Sequence, residues 1–263
     1  MLKVTNATAL VGVPSLMRKI AEYGIECGEN PSKTSVKKLI AIGEPTRDKS
    51  LQLLPLTKSL EEMWGAEIYS TYASTELATT YCECQKRQGG HVRPEMIITE
   101  ILDDNDNPVR AGEQGEVVVT PLGVTGMPLL RFKTGDVAFI IDEPCACGRT
   151  TQRIAPILGR KKQMLKYKGT TLFPNGILAA LEGVSFFEEG YVEVKSNPDG
   201  TDKVFLHLCL KDNTINQNMI EEHLRAKIRV VPEIIIESKD TIMNVIYQPE
   251  KKRKRITFID SRN

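Results

Sequence analysis

The spacing of apolar positions changes three times along the chain, and each change marks a different kind of layer. Residues 8–13 form a short apolar run. Pro14 then stands where a proline can open a helix, and Leu16, Ile20 and Tyr23 follow at helical spacing. A second apolar run covers 36–42 and is broken by Gly43-Glu44-Pro45. From 48 to 64 the positions Leu51, Leu54, Leu60 and Met63 recur with helical period, and 67–72 reads as a strand again. This β-α-β-α-β order predicts an α/β layer with parallel strands.

The middle of the chain loses its helices. Apolar segments at 96–102, 116–120 and 129–132 are separated by turn-rich pieces at 103–108 and 123–126, and 137–141 follows Gly135-Asp136. Strand after strand in this manner predicts an antiparallel sheet or a small barrel. Beyond Gly159-Arg160 the pattern turns to a strand at 164–167, a proline-opened helix at 174–182 and strands at 190–195 and 203–210. A helix at 217–229 and a last strand at 233–237 follow. That β-α-β-β-α-β order predicts a small ferredoxin-like α+β unit. The expected fold class is therefore α/β, with a large domain over 1–159 and a small one over 160–263.

Composition narrows the function classes. The chain has 263 residues, 41% hydrophobic and 26% charged, which excludes a disordered or collagen-like chain. Thirty-five Lys and Arg against 34 Asp and Glu leave a formal charge of +1, so no global field calls for nucleic acid. The one local exception is Lys251-Lys252-Arg253-Lys254-Arg255. No stretch approaches the roughly 18 apolar residues of a membrane span. The segment 7–13 is followed by an amphipathic pattern rather than a small-residue cleavage site, so no secretory leader is expected. Six cysteines are too few for a disulfide scaffold. Four of them come as Cys82/Cys84 and Cys145/Cys147, and paired thiols without a leader favour metal over disulfide in a cytoplasmic protein.

Three short segments carry candidate chemistry. Tyr69-Ser70-Thr71-Tyr72-Ala73-Ser74-Thr75-Glu76 runs from a strand into a turn of small hydroxyl residues and one acid. At a strand end in an α/β layer, that turn offers donors to an anion and a carboxylate to a divalent cation, or simply a helix cap. Gly43-Glu44-Pro45 ends the preceding strand, where glycine lets a flat ligand approach the backbone. By itself the tripeptide reads equally as a turn. In Arg131-Phe132-Lys133-Thr134-Gly135-Asp136, the Asp is suited to accept two ribose hydroxyls, or belongs to a β-turn.

The cysteines form a separate constellation. Cys84-x6-His91 and Cys145-x-Cys147 supply four soft or borderline ligands, with Cys82 to spare. Tetrahedral Zn²⁺ takes Cys₃His sets, and a closed set is structural. Free buried thiols are the alternative. His207 and His223 have no companion ligands nearby in sequence and read as structural.

The order of these pieces resembles the adenylate-forming ligase superfamily, and within it the phenylacetate–CoA ligase family. The matching residues are Ile42-Gly43-Glu44-Pro45, Tyr72-Ala73-Ser74-Thr75-Glu76 and Cys82-Glu83-Cys84 with His91. Further on come the stretch from Met127 to Asp136, Cys145-Ala146-Cys147-Gly148-Arg149-Thr150, and Gly159-Arg160 through Gly169 to Phe173-Pro174. The resemblance implies that a carboxylate attacks the α-phosphate of ATP to give an acyl-adenylate, and that the thiol of CoA then displaces AMP. It implies that Gly43, Glu44 and Pro45 line the adenine pocket, that Tyr72 stacks on the base and that Thr75 contacts phosphate. It implies further that Glu76 holds Mg²⁺, that Asp136 binds the ribose and that Arg160 contacts ribose or phosphate. The small domain of the superfamily swings about a hinge two residues after that Arg. Here the hinge residue is Lys162, where an Asp is common in the family and a Lys occurs in some relatives. Anchored on Phe258-Ile259-Asp260 and Arg262, the catalytic lysine is Lys254, with Lys252 as second choice.

The Ser/Thr/Gly-rich phosphate loop of such enzymes is not found in the sequence. The chain is expected to open inside the large domain and to turn over poorly alone. The expected partners are a small carboxylic acid, ATP and CoA, with a homodimer as one assembly, and neither nucleic acid nor membrane. Two alternatives remain: a non-catalytic, zinc-stabilised nucleotide-binding or regulatory module, and a ligase that loads a carrier-protein thiol.

Overall fold

A computed structural model describes residues 2–197, 202–211, 215–248 and 255–262. The chain divides into two compact units, Met1–Leu158 and Gly159–Asn263.

In the first unit a single turn, α1 (Leu2–Thr5), precedes β1 (Ala9–Gly12), α2 (Pro14–Glu26), β2 (Lys38–Ala41), α3 (Pro55–Trp64) and β3 (Glu67–Ala73). The three strands are parallel, with Leu10 beside Leu39 and Leu39 beside Ile68. Both helices start at a proline, whose fixed φ suits the first helical position and whose missing N–H costs nothing there. They cover one sheet face, burying Met17, Ala21, Leu60 and Trp64 against Leu39 and Ile68.

One expectation needs correction here. The helical spacing at 48–64 does not produce one helix, because α3 begins only at Pro55. A proline inside a helix would clash with the preceding turn, and it drives Leu54 to an extended ψ of 154°. Leu51 lies upstream in a left-handed turn with φ of 64°. In α2 the residues that revealed the helix, Leu16, Ile20 and Tyr23, are 48–68% exposed, and the core is filled from the neighbouring stripe.

The sheet continues through β4 (Thr80–Glu83), antiparallel to β3, and β5 (Gly90–His91). Gly90 is required at this step, since a Cβ there would lie 2.6 Å from the Tyr81 carbonyl oxygen. The chain then forms a second, antiparallel sheet from β6 (Ile97–Leu102), β7 (Gly115–Pro121) and β8 (Phe132–Ala138). It returns to the first sheet through β9 (Ile140–Ile141) and β10 (Arg153–Ile154), giving the order β1-β2-β3-β4-β5-β10-β9. Leu77, Tyr81, Ile97, Val117, Val119 and Ile154 make the core here.

The segments at 129–132 and 137–141 do not form two strands either side of a turn. β8 joins the end of the first to the start of the second and bulges, Glu116 pairing with Val137 and Val118 with Lys133, while Ile140–Ile141 is the separate β9. Thr134, Gly135 and Asp136 therefore stand opposite Val117 alone. Gly135 takes φ of 74°, a conformation glycine adopts without strain.

The second unit opens with β11 (Gly159–Arg160) and a short turn at Lys161–Gln163. The hairpin β12 (Leu165–Tyr167) and β13 (Thr170–Leu172) precedes α4 (Pro174–Ala179). After β14 (Phe187–Ser196) and β15 (Asp202–Leu210) come α5 (Gln217–Ile228), β16 (Glu233–Ile236), α6 (Lys239–Ile246) and β17 (Phe258–Ser261). The unit is α+β as expected, but a different strand completes its sheet. Residues 165–167 pair locally in the hairpin, and β17 takes the fourth place in the order β16-β15-β14-β17. One sheet face packs Val192, Val194 and Leu206 on Ile177, Ile220 and Leu224. α6 covers Tyr191 and Cys209 on the other with Ile242 and Ile246. Among the described residues no helix is long and apolar enough to cross a membrane.

Candidate nucleotide site and candidate metal centre

The end of β3 and the bulge of β8 bring together two of the motif residues. The Tyr72 hydroxyl donates to Asp136 Oδ2 at 2.8 Å, and the Tyr72 ring stacks on Tyr81 at 5.7 Å between centroids. Asp136 is buried, and its own amide donates to Thr134 Oγ1, which in turn donates to the Val117 carbonyl. Burial, and then the neighbouring carboxylate, push the Tyr72 phenol well above its ordinary range, so the ring stays neutral and a donor. Beyond β3, Thr75 and Glu76 lie exposed on the short turn Thr75–Leu77, which the buried Leu77 anchors.

Gly43 and Pro45 are exposed after β2, and Gly43 takes φ of 76°. Glu44 is engaged locally. Its carboxylate accepts the Ser15 amide at 2.9 Å and the Ser15 hydroxyl at 2.7 Å. It thereby caps α2, whose preceding residue Val13 offers no side-chain cap, and places a negative charge at the positive end of that helix.

In the second unit Arg160 is exposed on β11 and Lys162 on the following turn. Arg262 fastens this turn to the end of the chain. It donates to the Lys162 carbonyl at 2.9 Å and to the Met164 carbonyl at 3.3 Å, and pairs with Asp202 and Asp260. Lys254 and its alternative Lys252 lie outside the described residues. Both remaining histidines are structural. His207 is buried between Glu193 and Glu237 and stacks on Tyr191, and His223 hydrogen-bonds the Ala180 carbonyl.

Cys84, His91, Cys145 and Cys147 converge, with all four ligand atoms within 4.8 Å of one another. The Cys84 and Cys145 sulfurs are 3.7 Å apart, and Cys147 Sγ is 3.4 Å from His91 Nε2. Tetrahedral zinc with bonds of about 2.3 Å to sulfur and 2.0 Å to nitrogen requires separations of roughly 3.8 and 3.5 Å. The donor set and spacing fit that ion. Thr151 holds His91 Nδ1 at 3.1 Å, which leaves Nε2 to face the thiols. Burial, then the guanidiniums of Arg149 and Arg153, hold the His91 pKa low, in favour of the neutral form a metal needs. Cys82 stays apart, its sulfur between the Thr71 and Thr80 hydroxyls.

Three contributors escape sequence reasoning. Tyr81 supports the Tyr72 ring. The buried Arg153 donates to the Gln88 and Glu143 carbonyls and so ties the two ligand-bearing loops together. Arg47 and Glu83 form a buried ion pair at 2.8 Å. Tyr81 shares the face of Tyr72 because the two stand opposite each other in the β3–β4 register, and nothing local pairs Arg47 with Glu83. A depression of about 480 Å³, lined by Lys38, Tyr69, Thr71 and His91 among others, opens on the opposite sheet face from Tyr72.

No family model matches the chain. Over 172 residues it is 33% identical to a phenylacetate-coenzyme A ligase of Thermus thermophilus, covering 64% of this chain and 37% of that protein. A phenylacetate-coenzyme A ligase of Pseudomonas putida is 27% identical over 210 residues, 75% of this chain and 44% of the relative. Among solved structures, a 2-hydroxyisobutyryl-CoA ligase in the postadenylation state matches with a TM-score of 0.79 at 23% identity, over 99% of this chain and 56% of the other. The o-succinylbenzoate coenzyme A synthetase of Bacillus subtilis, in complex with ATP and magnesium ion, matches with a TM-score of 0.66 at 15% identity, over 88% of this chain and 48% of the other. The fold is that of the adenylate-forming ligases. The chain spans less than half the length of the curated relatives it matches.

Proposed function

We propose that this chain, homologous to the phenylacetate–CoA ligases, carries the adenosine-binding side of an ATP-dependent acid–thiol ligase. The observation that carries the reading is the Tyr72–Asp136 hydrogen bond, which joins two motif segments 64 positions apart. A ring fixed by Asp136 on its hydroxyl and by Tyr81 on one face has its conformation settled before a base arrives, which lowers the ordering cost of stacking. Asp136 would also accept ribose hydroxyls, and the exposed backbone at Gly43 and Pro45 would pass close to the adenine edge.

The reaction is attack of an aryl carboxylate on the α-phosphorus of ATP, with loss of pyrophosphate, followed by displacement of AMP by the CoA thiol. The protein's part is orientation and charge neutralisation. Thr75 would donate to phosphate and Glu76 would hold Mg²⁺, which supplies positive charge to the phosphates. Arg160 would approach the ribose or phosphate from the second unit, which would turn about Lys162. Lys254 would bring the cationic charge to the α-phosphate. The cluster of Cys84, His91, Cys145 and Cys147 would hold a structural Zn²⁺, since all four positions are taken by protein and none is left for substrate.

ATP titration by calorimetry tests the reading. Binding is expected for the native chain, weakened about tenfold or more in Asp136→Asn and Tyr72→Ala; equal affinity in all three contradicts it. The metal cluster favours one further reading, a non-catalytic module stabilised by zinc. Stoichiometric zinc by elemental analysis, with a melting temperature that falls on chelation but does not respond to ATP, supports that module over the ligase.

A further inference from the structure

The buried pair Arg47–Glu83 belongs to neither site, yet it is hydrogen-bonded to segments that flank both. Glu83 sits between Cys82 and Cys84 on β4, and its side chain is 1% exposed. Its Oε1 accepts Arg47 Nε at 2.8 Å and the Gly89 amide at 3.4 Å. Its Oε2 accepts the Ser70 amide at 2.9 Å and Arg47 Nη2 at 3.3 Å. Arg47 spends its remaining arm on the Leu51 carbonyl at 3.2 Å. One carboxylate thus fastens three segments to its own. Arg47 lies two residues beyond Pro45, and Ser70 two residues before Tyr72. Gly89 lies two residues before His91, and Cys84 is the next residue.

We propose that Glu83 is a positioning residue that couples metal occupancy at Cys84, His91, Cys145 and Cys147 to the shape of the nucleotide site. The proposal rests on the ligase reading for the identity of that site. β4 and β5 are four and two residues long, so few ladder bonds hold the turn between them. An ion at the cluster would cross-link that turn to the loop bearing Cys145 and Cys147, and so fix the peptide on which Glu83 stands. Without the ion the turn opens locally, the carboxylate loses its alignment, and the segments at 43–54 and 68–72 loosen with it. A buried guanidinium left without its carboxylate cannot stay in place, which makes the change close to all-or-none.

The test compares zinc-loaded and chelated protein by amide exchange and by ATP titration. Chelation should speed exchange of the Ser70 amide and of amides in 47–54 about tenfold. It should weaken ATP binding by a similar factor, within the usual range of coupling between two sites. In Glu83→Gln that effect of chelation on affinity should shrink toward unity. Arg47→Lys keeps the charge but loses the planar fork, and should give an intermediate response even if Glu83→Gln does not fold. Exchange at Ser70 and 47–54 that ignores metal removal overturns the proposal. So does an equal chelation effect in native and Arg47→Lys protein, or a chain that holds no zinc when purified with it. Absence of ATP binding in both metal states sinks the ligase reading instead, and the exchange rates still decide the coupling.

Discussion

Tyr72 and Asp136 depend on one another more than on their local sequence. Asp136 is buried, and the Tyr72 hydroxyl is a donor to its Oδ2. Tyr72→Phe removes one hydrogen bond to that buried carboxylate, at a cost of about 1–3 kcal/mol that a denaturant melt would register. In the second unit, hydrogen bonds from Arg262 hold the Asp260 carboxyl below the usual carboxylate range. A depressed pKa adds stability above the unfolded-state value and loses it as pH falls through the folded-state value. Melting temperatures of native protein and Asp260→Asn should therefore differ at neutral pH and converge in acid below the ordinary carboxylate range. A difference independent of pH would show that the charge on Asp260 is not what stabilises the unit.

At the scale of elements, α2 separates what a periodicity shows from what it buries. Leu16 and Ile20 identify the helix from sequence, while Met17 and Ala21 form its core contact. Met17→Ala should cost about 2–5 kcal/mol, and the pair Leu16→Glu with Ile20→Glu only about 0.5 kcal/mol, both read from urea melts. The parallel strands are legible because apolar runs and proline positions are local signals, and ligand spacing singles out Cys84, His91, Cys145 and Cys147, whose ligand atoms converge. The apolar period at 48–64 suggests one helix because it ignores the steric veto of Pro55. The bulge at 134–136 is indistinguishable from a β-turn in sequence because Gly135 suits either setting. α6 and β17 are not legible because the short apolar stretches near 242–246 and 258–259 carry too few positions to establish a period. The Arg47–Glu83 pair is not legible because its partners lie 36 positions apart and Arg47 belongs to no motif that would point to Glu83.

At the scale of the whole molecule, each unit has its own core, and the metal cluster belongs wholly to the first. Chelation should lower the melting transition of the first unit by about 5 °C or more, as loss of a few kcal/mol does in a unit of this size. It should leave the second unit's transition in place, as identified by its shift in Asp260→Asn. One shift common to both units would contradict a metal that acts only on the first.

The central claim is where adenosine binds. Photolabelling with an azidoadenine analogue of ATP, with and without excess ATP, and mapping of the labelled peptides by mass spectrometry addresses it most directly. The account predicts ATP-protected label on the peptides containing 43–45 or Tyr72. Protected label confined to the depression around Lys38 and His91, or label that excess ATP does not displace, would contradict it.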